Sequence, residues 1–130
     1  MTPLLNTATN KELLDVVHQW VRLLELEEYE KAYSFIDPVK DSGWTPDLIK
    51  QFIEGYGDAE IGQRVTFEGK QTDISQRVEV TRWEENQRSE VGEICYDLNI
   101  NGFVSDITAT FSICTSSEGF ILKLSDIHVM

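Results

Sequence analysis

The chain has 130 residues, of which 41% are hydrophobic and 10% aromatic, and this predicts a single domain, residues 1–130, with one core. The 23 acidic and 11 basic residues give a formal net charge of −12, which weighs against nucleic-acid binding and membrane-surface binding. We expect neither a secretory signal nor a membrane span, and the two cysteines are expected to be free thiols in the cytoplasm.

Helices are predicted in the first part of the chain. Thr9 and Glu12 form a Thr-x-x-Glu capping box, so a helix should begin just after Thr9. A second helical stretch covers residues 29–36, either as a bent continuation of the first helix or as a separate helix. Thr45 and Pro46 predict the start of another helix. Its expected buried residues are Leu48, Ile49, Phe52, Ile53 and Tyr56.

After residue 59 the apolar residues recur with the period of two that is typical of strands. The clearest stretch is a long β-hairpin over residues 94–113, because Asn101 and Gly102 provide the two positive-φ residues of a type I′ turn. Other strands are expected near Val65 and Phe67, near Val78 and Val80, and from Phe120 to Met130. Helices followed by antiparallel strands predict an α+β fold, with N-terminal helices on one face of a curved, mostly antiparallel sheet of about five strands.

Two carboxylates form a candidate binding site on the outer side of this hairpin. When the register is counted from the turn, Asp97 lies directly opposite Asp106, and like charges in this position destabilise a sheet. Three interpretations are open: a nearby cation neutralises the two carboxylates, they form a polar site that binds a ligand, or they point apart into solvent. The cations available are Arg77, Arg82 and Lys123. The pattern places no further ligand nearby, so we predict no metal.

The last strand allows two registers. With unbroken alternation, Asp126 and His128 face the core beside Tyr96, and these three residues are the candidate catalytic set. One extra residue in a β-bulge near Ser125 instead turns Ile127 and Val129 inward and sends Asp126 and His128 outward. The apolar content of the strand favours the bulge.

The order of the elements, with the closing strand Gly-Phe-Ile-Leu-Lys-Leu-Ser-Asp-Ile-His-Val, resembles the cone-shaped, cystatin-like α+β superfamily of nuclear transport factor two, ketosteroid isomerase and the SnoaL-like cyclases. This resemblance implies a pocket between the first helix and a concave sheet, in proteins that are enzymes or binding, dimerising and immunity modules. The segments Glu54-Gly55-Tyr56-Gly57, Ser105-Asp106-Ile107-Thr108 and Ser125-Asp126-Ile127-His128-Val129 resemble an uncharacterised family of small bacterial proteins.

The acidic surface, combined with the lack of a secured catalytic set, predicts a non-catalytic cytoplasmic binding module, an immunity or accessory protein for a basic protein partner. The alternative is a small-molecule isomerase, dehydratase or cyclase, or a ligand binder, with Asp126 or His128 as general base and Tyr96 as hydrogen-bond donor. We expect no cofactor. A homodimer is a further expectation, based on the threonine-rich outer face of the hairpin.

Overall fold

The helices precede the strands, and every strand pairing is antiparallel. The computed structural model describes residues 3–5, 7–56, 62–71, 74–83 and 90–129. The helices are Asn10–Glu25 (α1), Tyr29–Phe35 (α2) and Pro46–Glu54 (α3). The strands are Val65–Thr66 (β1), Val78–Arg82 (β2), Glu90–Ile100 (β3), Phe103–Ser116 (β4) and Gly119–Val129 (β5). This confirms the predicted α+β class and the five-stranded sheet.

The two longer helices begin where the sequence provides a cap. The Thr9 hydroxyl accepts a hydrogen bond from the Glu12 backbone N–H at 3.2 Å, and the Glu12 carboxylate accepts one from the Thr9 N–H at 3.2 Å. The Thr45 hydroxyl accepts the Leu48 N–H at 3.1 Å. Between α1 and α2, Glu27 adopts a positive φ of 59°, so the second helical stretch is a separate helix.

The sheet has the strand order β1-β3-β4-β5, and β2 pairs with the same strand, β3, as β1 does. Strands β3 and β4 form the predicted hairpin, in which Asn101 and Gly102 have φ values of 52° and 84°. Ile100 pairs with Phe103 across this turn, as expected.

Helix α1 supplies the apolar stripe that covers the inner face of the sheet. Trp20 is fully buried and meets Phe111 of β4 edge to face, with ring centroids 5.1 Å apart. The other buried residues of α1 are Leu13, Val16, Val17, Val21 and Leu24. The inner face carries Ile94, Tyr96, Leu98, Phe111 and Ile113, and the outer face carries Cys95, Asp97, Thr108 and Thr110.

The free side of β5 is covered by two segments from the first part of the chain. Leu4 exchanges backbone hydrogen bonds with Phe120 at 2.8 and 2.7 Å. The N–H of Val39 donates to Leu124 O at 2.7 Å, and the Leu124 N–H donates to Asp37 O at 2.9 Å. The loop before α3 is therefore fixed to β5.

Cys95 and Cys114 are free thiols, as predicted. Cys95 pairs with Thr110 and Cys114 with Glu90, at separate places in the sheet. Burial is the main cause that raises the pKa of both thiols. In the part of the chain that the structure describes, no helix has the length and apolar character needed to cross a bilayer.

Candidate functional site

The last strand contains the bulge that the sequence allowed. Phe111 pairs with Leu124, but the preceding residue Thr110 pairs with Asp126, so Ser125 is the extra residue in β5. From this point toward the end of the chain the alternation of β5 is reversed relative to an unbroken strand.

The three candidate catalytic residues lie on two different faces of the sheet. Ile127 is buried in the core, whereas Asp126 and His128 lie on the outer face, and the Asp126 side chain is 55% exposed. His128 Nδ1 is 3.2 Å from Asp126 Oδ2, although the two groups are out of line for a hydrogen bond. Tyr96 lies on the inner face. The bulge thus separates Asp126 and His128 from Tyr96, so the catalytic set that an unbroken strand would have formed does not assemble.

Val129 is the exception among the residues that the bulge was expected to bury. It pairs with Ile107, but it is 51% exposed. Its position at the end of the last strand leaves part of the side chain uncovered.

Asp97 and Asp106 are not opposite each other, so that prediction was wrong. The β3–β4 register shifts between Asp97 and Asn99, and Asp97 pairs with Thr108. Residues 105–107 of β4 lie opposite a single residue of β3 in this irregular stretch. Because the strand gains two residues, Asp97 keeps its expected face while its partner changes.

The Asp97 carboxylate of β3 bonds to β4 and to Arg77, the residue before β2, instead of standing free. It is 9% exposed, and Oδ1 accepts the Thr108 hydroxyl at 2.7 Å. Oδ2 accepts the Arg77 backbone N–H at 2.8 Å, and Arg77 Nε lies 3.9 Å from Oδ1. Of the alternatives considered for this carboxylate, neutralisation by Arg77 is the one that the structure contains.

Asp106 has a separate partner. Its Oδ1 accepts a hydrogen bond from the hydroxyl of Tyr56, which follows α3. Burial first, and then this hydrogen bond, raises the pKa of Tyr56. In the described residues, no three His, Cys, Asp or Glu side chains lie together as metal ligands would.

Acidic side chains surround a cavity between α2 and α3. We call this cavity of about 380 Å³ the α2–α3 groove. Its lining residues are Glu27, Glu28, Tyr29, Glu30, Lys31, Pro46, Asp47 and Lys50. The groove thus combines four carboxylates with two ammonium groups.

Both lysines of the groove are already paired. Lys31 Nζ is 3.1 Å from Glu28 Oε1, and Lys50 Nζ is 3.8 Å from Glu54 Oε1. These pairs are exposed, so each contributes at most about 1 kcal/mol and is readily exchanged for another partner. Three carboxylates have no cation partner in the described part of the chain, namely Glu27, Glu30 and Asp47. The lining of the groove therefore carries a net negative charge.

Tyr29 is the buried residue of the groove. It is 7% exposed, and its hydroxyl has no hydrogen-bond partner among the described residues. Burial is the main cause that raises its pKa, followed by the charges of Glu27 and Glu54. A buried hydroxyl without a partner costs roughly 1–3 kcal/mol, so a ligand that reached it would recover part of that free energy.

Sequence reasoning did not find this groove. The acidic run at residues 25–30 is visible in the sequence, but it is usual for exposed helix ends. Its meeting with Asp47 depends on how α2 packs against α3, and no local pattern encodes that packing.

The comparisons with known proteins identify a family but not a function. The model of the family described as a domain of unknown function, DUF7668, matches residues 21–130, and the chain belongs to this family. Neither the curated proteins nor the solved structures include a match. The resemblance to the nuclear transport factor two and SnoaL-like superfamily, with its cone shape, stays a prediction.

Proposed function

We propose that this DUF7668 member is a non-catalytic binding module that docks a basic segment of a protein partner in the α2–α3 groove, as a cytoplasmic immunity or accessory protein. The observation that carries the proposal is the groove itself, where Glu27, Glu30 and Asp47 lack cation partners in the described residues. The net charge of −12 adds a long-range attraction that steers a basic protein toward the surface.

The small-molecule enzyme has less support. Its proposed general base and hydrogen-bond donor would have to reach the same substrate. Asp126 and His128 lie on the outer face of the sheet, and Tyr96 lies on the inner face against α1. Groups on opposite faces of the sheet cannot contact the same substrate.

We expect neutralisation of the groove to abolish capture of the partner. In a pull-down from the source cell at low salt, the wild-type chain should retain a basic protein, and the variant Glu27→Gln/Glu30→Gln/Asp47→Asn should lose it. Wild-type binding should weaken as salt rises, because screening shortens the range of the attraction.

A matched control removes the same number of charges elsewhere. Asp15→Asn/Glu79→Gln/Glu118→Gln changes three exposed carboxylates outside the groove and should retain the partner. Equal loss in both variants would show that only net charge matters. Recovery of no protein partner at low salt would contradict the proposed function outright.

We further propose a homodimer, and the edge of β2 supports this proposal. The hydrogen bonds of Arg77 and Trp83 to β3 show that alternate residues of this segment face β3. The backbone groups of Val78, Val80 and Arg82 then point away from the sheet, without partners in the described part of the chain. An open edge of this kind can pair with the same edge of a second copy.

Sedimentation equilibrium at micromolar concentration checks this expectation. The wild type should sediment as twice the 14.9 kDa monomer, and Val80→Pro should sediment as the monomer. Proline is tolerated at this position, because the Val80 N–H does not bond to β3. A wild-type chain that sediments as a monomer would contradict the expected homodimer.

A further inference from the structure

We infer that a second cavity, on the other side of α3 from the groove, binds an arginine side chain of the partner. We call it the aromatic pocket. Its volume is about 410 Å³, and it is lined by Ser42, Gly43, Trp44, Leu48, Gln51, Phe52 and Asp126. The inference rests on the proposed function, because it assigns one anchor of the basic segment that we expect the protein to dock.

Two aromatic rings form a corner of the pocket. The Trp44 and Phe52 centroids are 5.9 Å apart, and the rings are inclined at 81°. Both side chains are half-buried, so each keeps an accessible surface. The face of an aromatic ring attracts a cation, and a planar guanidinium can stack on it.

The aromatic wall is held by a loop that is fixed at both ends. Val39 is bonded to β5, and the Ser42 N–H donates to Val39 O at 3.1 Å. The Trp44 N–H donates to Ser42 Oγ at 3.3 Å, and Gly43 between them has a positive φ of 82°. A side chain at residue 43 would strain this turn, so glycine lets the loop present Trp44 to α3.

The same pocket contains apolar side chains that the fold covers only in part. The helical spacing predicted that Leu48 and Phe52 would be buried, but Leu48 is 45% exposed and Phe52 is only partly covered. Of the residues of α3, only Ile49 and Ile53 are buried. Leu48 and Phe52 together with Trp44 make a contiguous apolar wall, which is typical of a binding site.

Asp126 supplies the charge that selects a cation. The Ser125 bulge turns this carboxylate out of the core, and it lines the pocket beside the aromatic wall. Its Oδ2 lies near His128 Nδ1 at 3.2 Å, and its Oδ1 has no partner in the described residues. A guanidinium stacked on a ring can direct its N–H groups to this carboxylate, which an ammonium point charge does less well.

The probe for this inference is N-acetyl-arginine amide, added to the full chain and followed by NMR through the Leu48 methyl and Gln51 side-chain amide signals. We expect saturable shifts with the arginine amide, weaker shifts with N-acetyl-lysine amide and none with the uncharged N-acetyl-citrulline amide. Trp44→Ala and Asp126→Asn should each weaken the arginine affinity by about tenfold. Unsaturable shifts, equal binding of lysine, or unchanged affinity in both variants would overturn the inference.

A control separates this site from the groove. Glu27→Gln/Glu30→Gln/Asp47→Asn should bind the arginine amide like the wild type, because none of these three residues lines the aromatic pocket. If the amide binds but the pull-down recovers no partner, the proposed function is contradicted, whereas the inference that the aromatic pocket binds arginine is supported. If a partner is captured in the groove but the amide does not bind, the pocket inference alone fails.

Discussion

Replacing Trp20 by alanine should lower the free energy of unfolding by about 3–5 kcal/mol, a large share of the roughly 5–15 kcal/mol that a domain has. Trp20 lies on the side of α1 that faces the sheet and is fully buried, and the centroid of its ring is 5.1 Å from the centroid of the Phe111 ring. Alanine removes this contact and leaves a cavity in the core. Urea unfolding followed by circular dichroism measures the change.

Trp20→Phe is the matched variant, and it should be clearly less costly than Trp20→Ala. The indole Nε1 of Trp20 is buried without a hydrogen-bond partner among the described residues, so phenylalanine removes an unsatisfied donor while keeping most of the ring. A loss below about 1 kcal/mol for alanine, or equal losses for both variants, would contradict the assigned core.

Asp97→Ala should lower the free energy of unfolding by about 3 kcal/mol, because it removes a charged acceptor of two hydrogen bonds. The fully buried Thr108 hydroxyl and the Arg77 backbone N–H would both lose their acceptor. Asp97→Asn should cost less, since its amide oxygen can still accept one bond. The measurement is again denaturant unfolding, at an ionic strength high enough to screen surface charges.

The control for Asp97 is Glu79→Ala on the same outer face. Glu79 is exposed and pairs with Cys95, so its loss should change stability by no more than about 0.5 kcal/mol. Comparable effects of the two substitutions would mean that Asp97 is a solvated carboxylate and not the link between β3, β4 and Arg77.

The features predicted correctly from the sequence are those that neighbouring residues decide. The Thr9 and Thr45 caps bond to N–H groups three residues away, and the turn at Asn101 and Gly102 needs only those two positive φ values.

Strand register is harder to predict where one or two extra residues enter a strand, and the pairing of Asp97 with Asp106 was wrong for this reason. Two extra residues in β4 gave Asp97 a new partner but left its face unchanged, whereas one extra residue at Ser125 moved Asp126 to the other face. Alternation specifies the face of a side chain only as far as the next bulge. The apolar residues Ile127 and Val129 were the sequence signal that favoured this bulge, and Ile127 is buried as expected.

The residues of both proposed binding surfaces were harder to find. Helix α3 carries more apolar residues on one face than the core buries. Leu48 and Phe52 therefore fit the helical pattern of buried residues, although the fold leaves them partly uncovered. Glu27 and Asp47 come together only because α2 packs against α3. Contacts of this kind depend on tertiary packing and leave no periodic pattern in the sequence.

The position of Asp126 outside the core is the structural fact that separates an arginine-binding pocket from an internal catalytic site. The NMR nuclear Overhauser pattern across β4 and β5 measures it directly. We expect the Ala109 methyl group to give strong contacts to the Ile127 side chain, its partner in the bulged register. Strong contacts from the Ala109 methyl group to the Asp126 side chain would show an unbroken strand, which would place Asp126 in the core and contradict the proposed site.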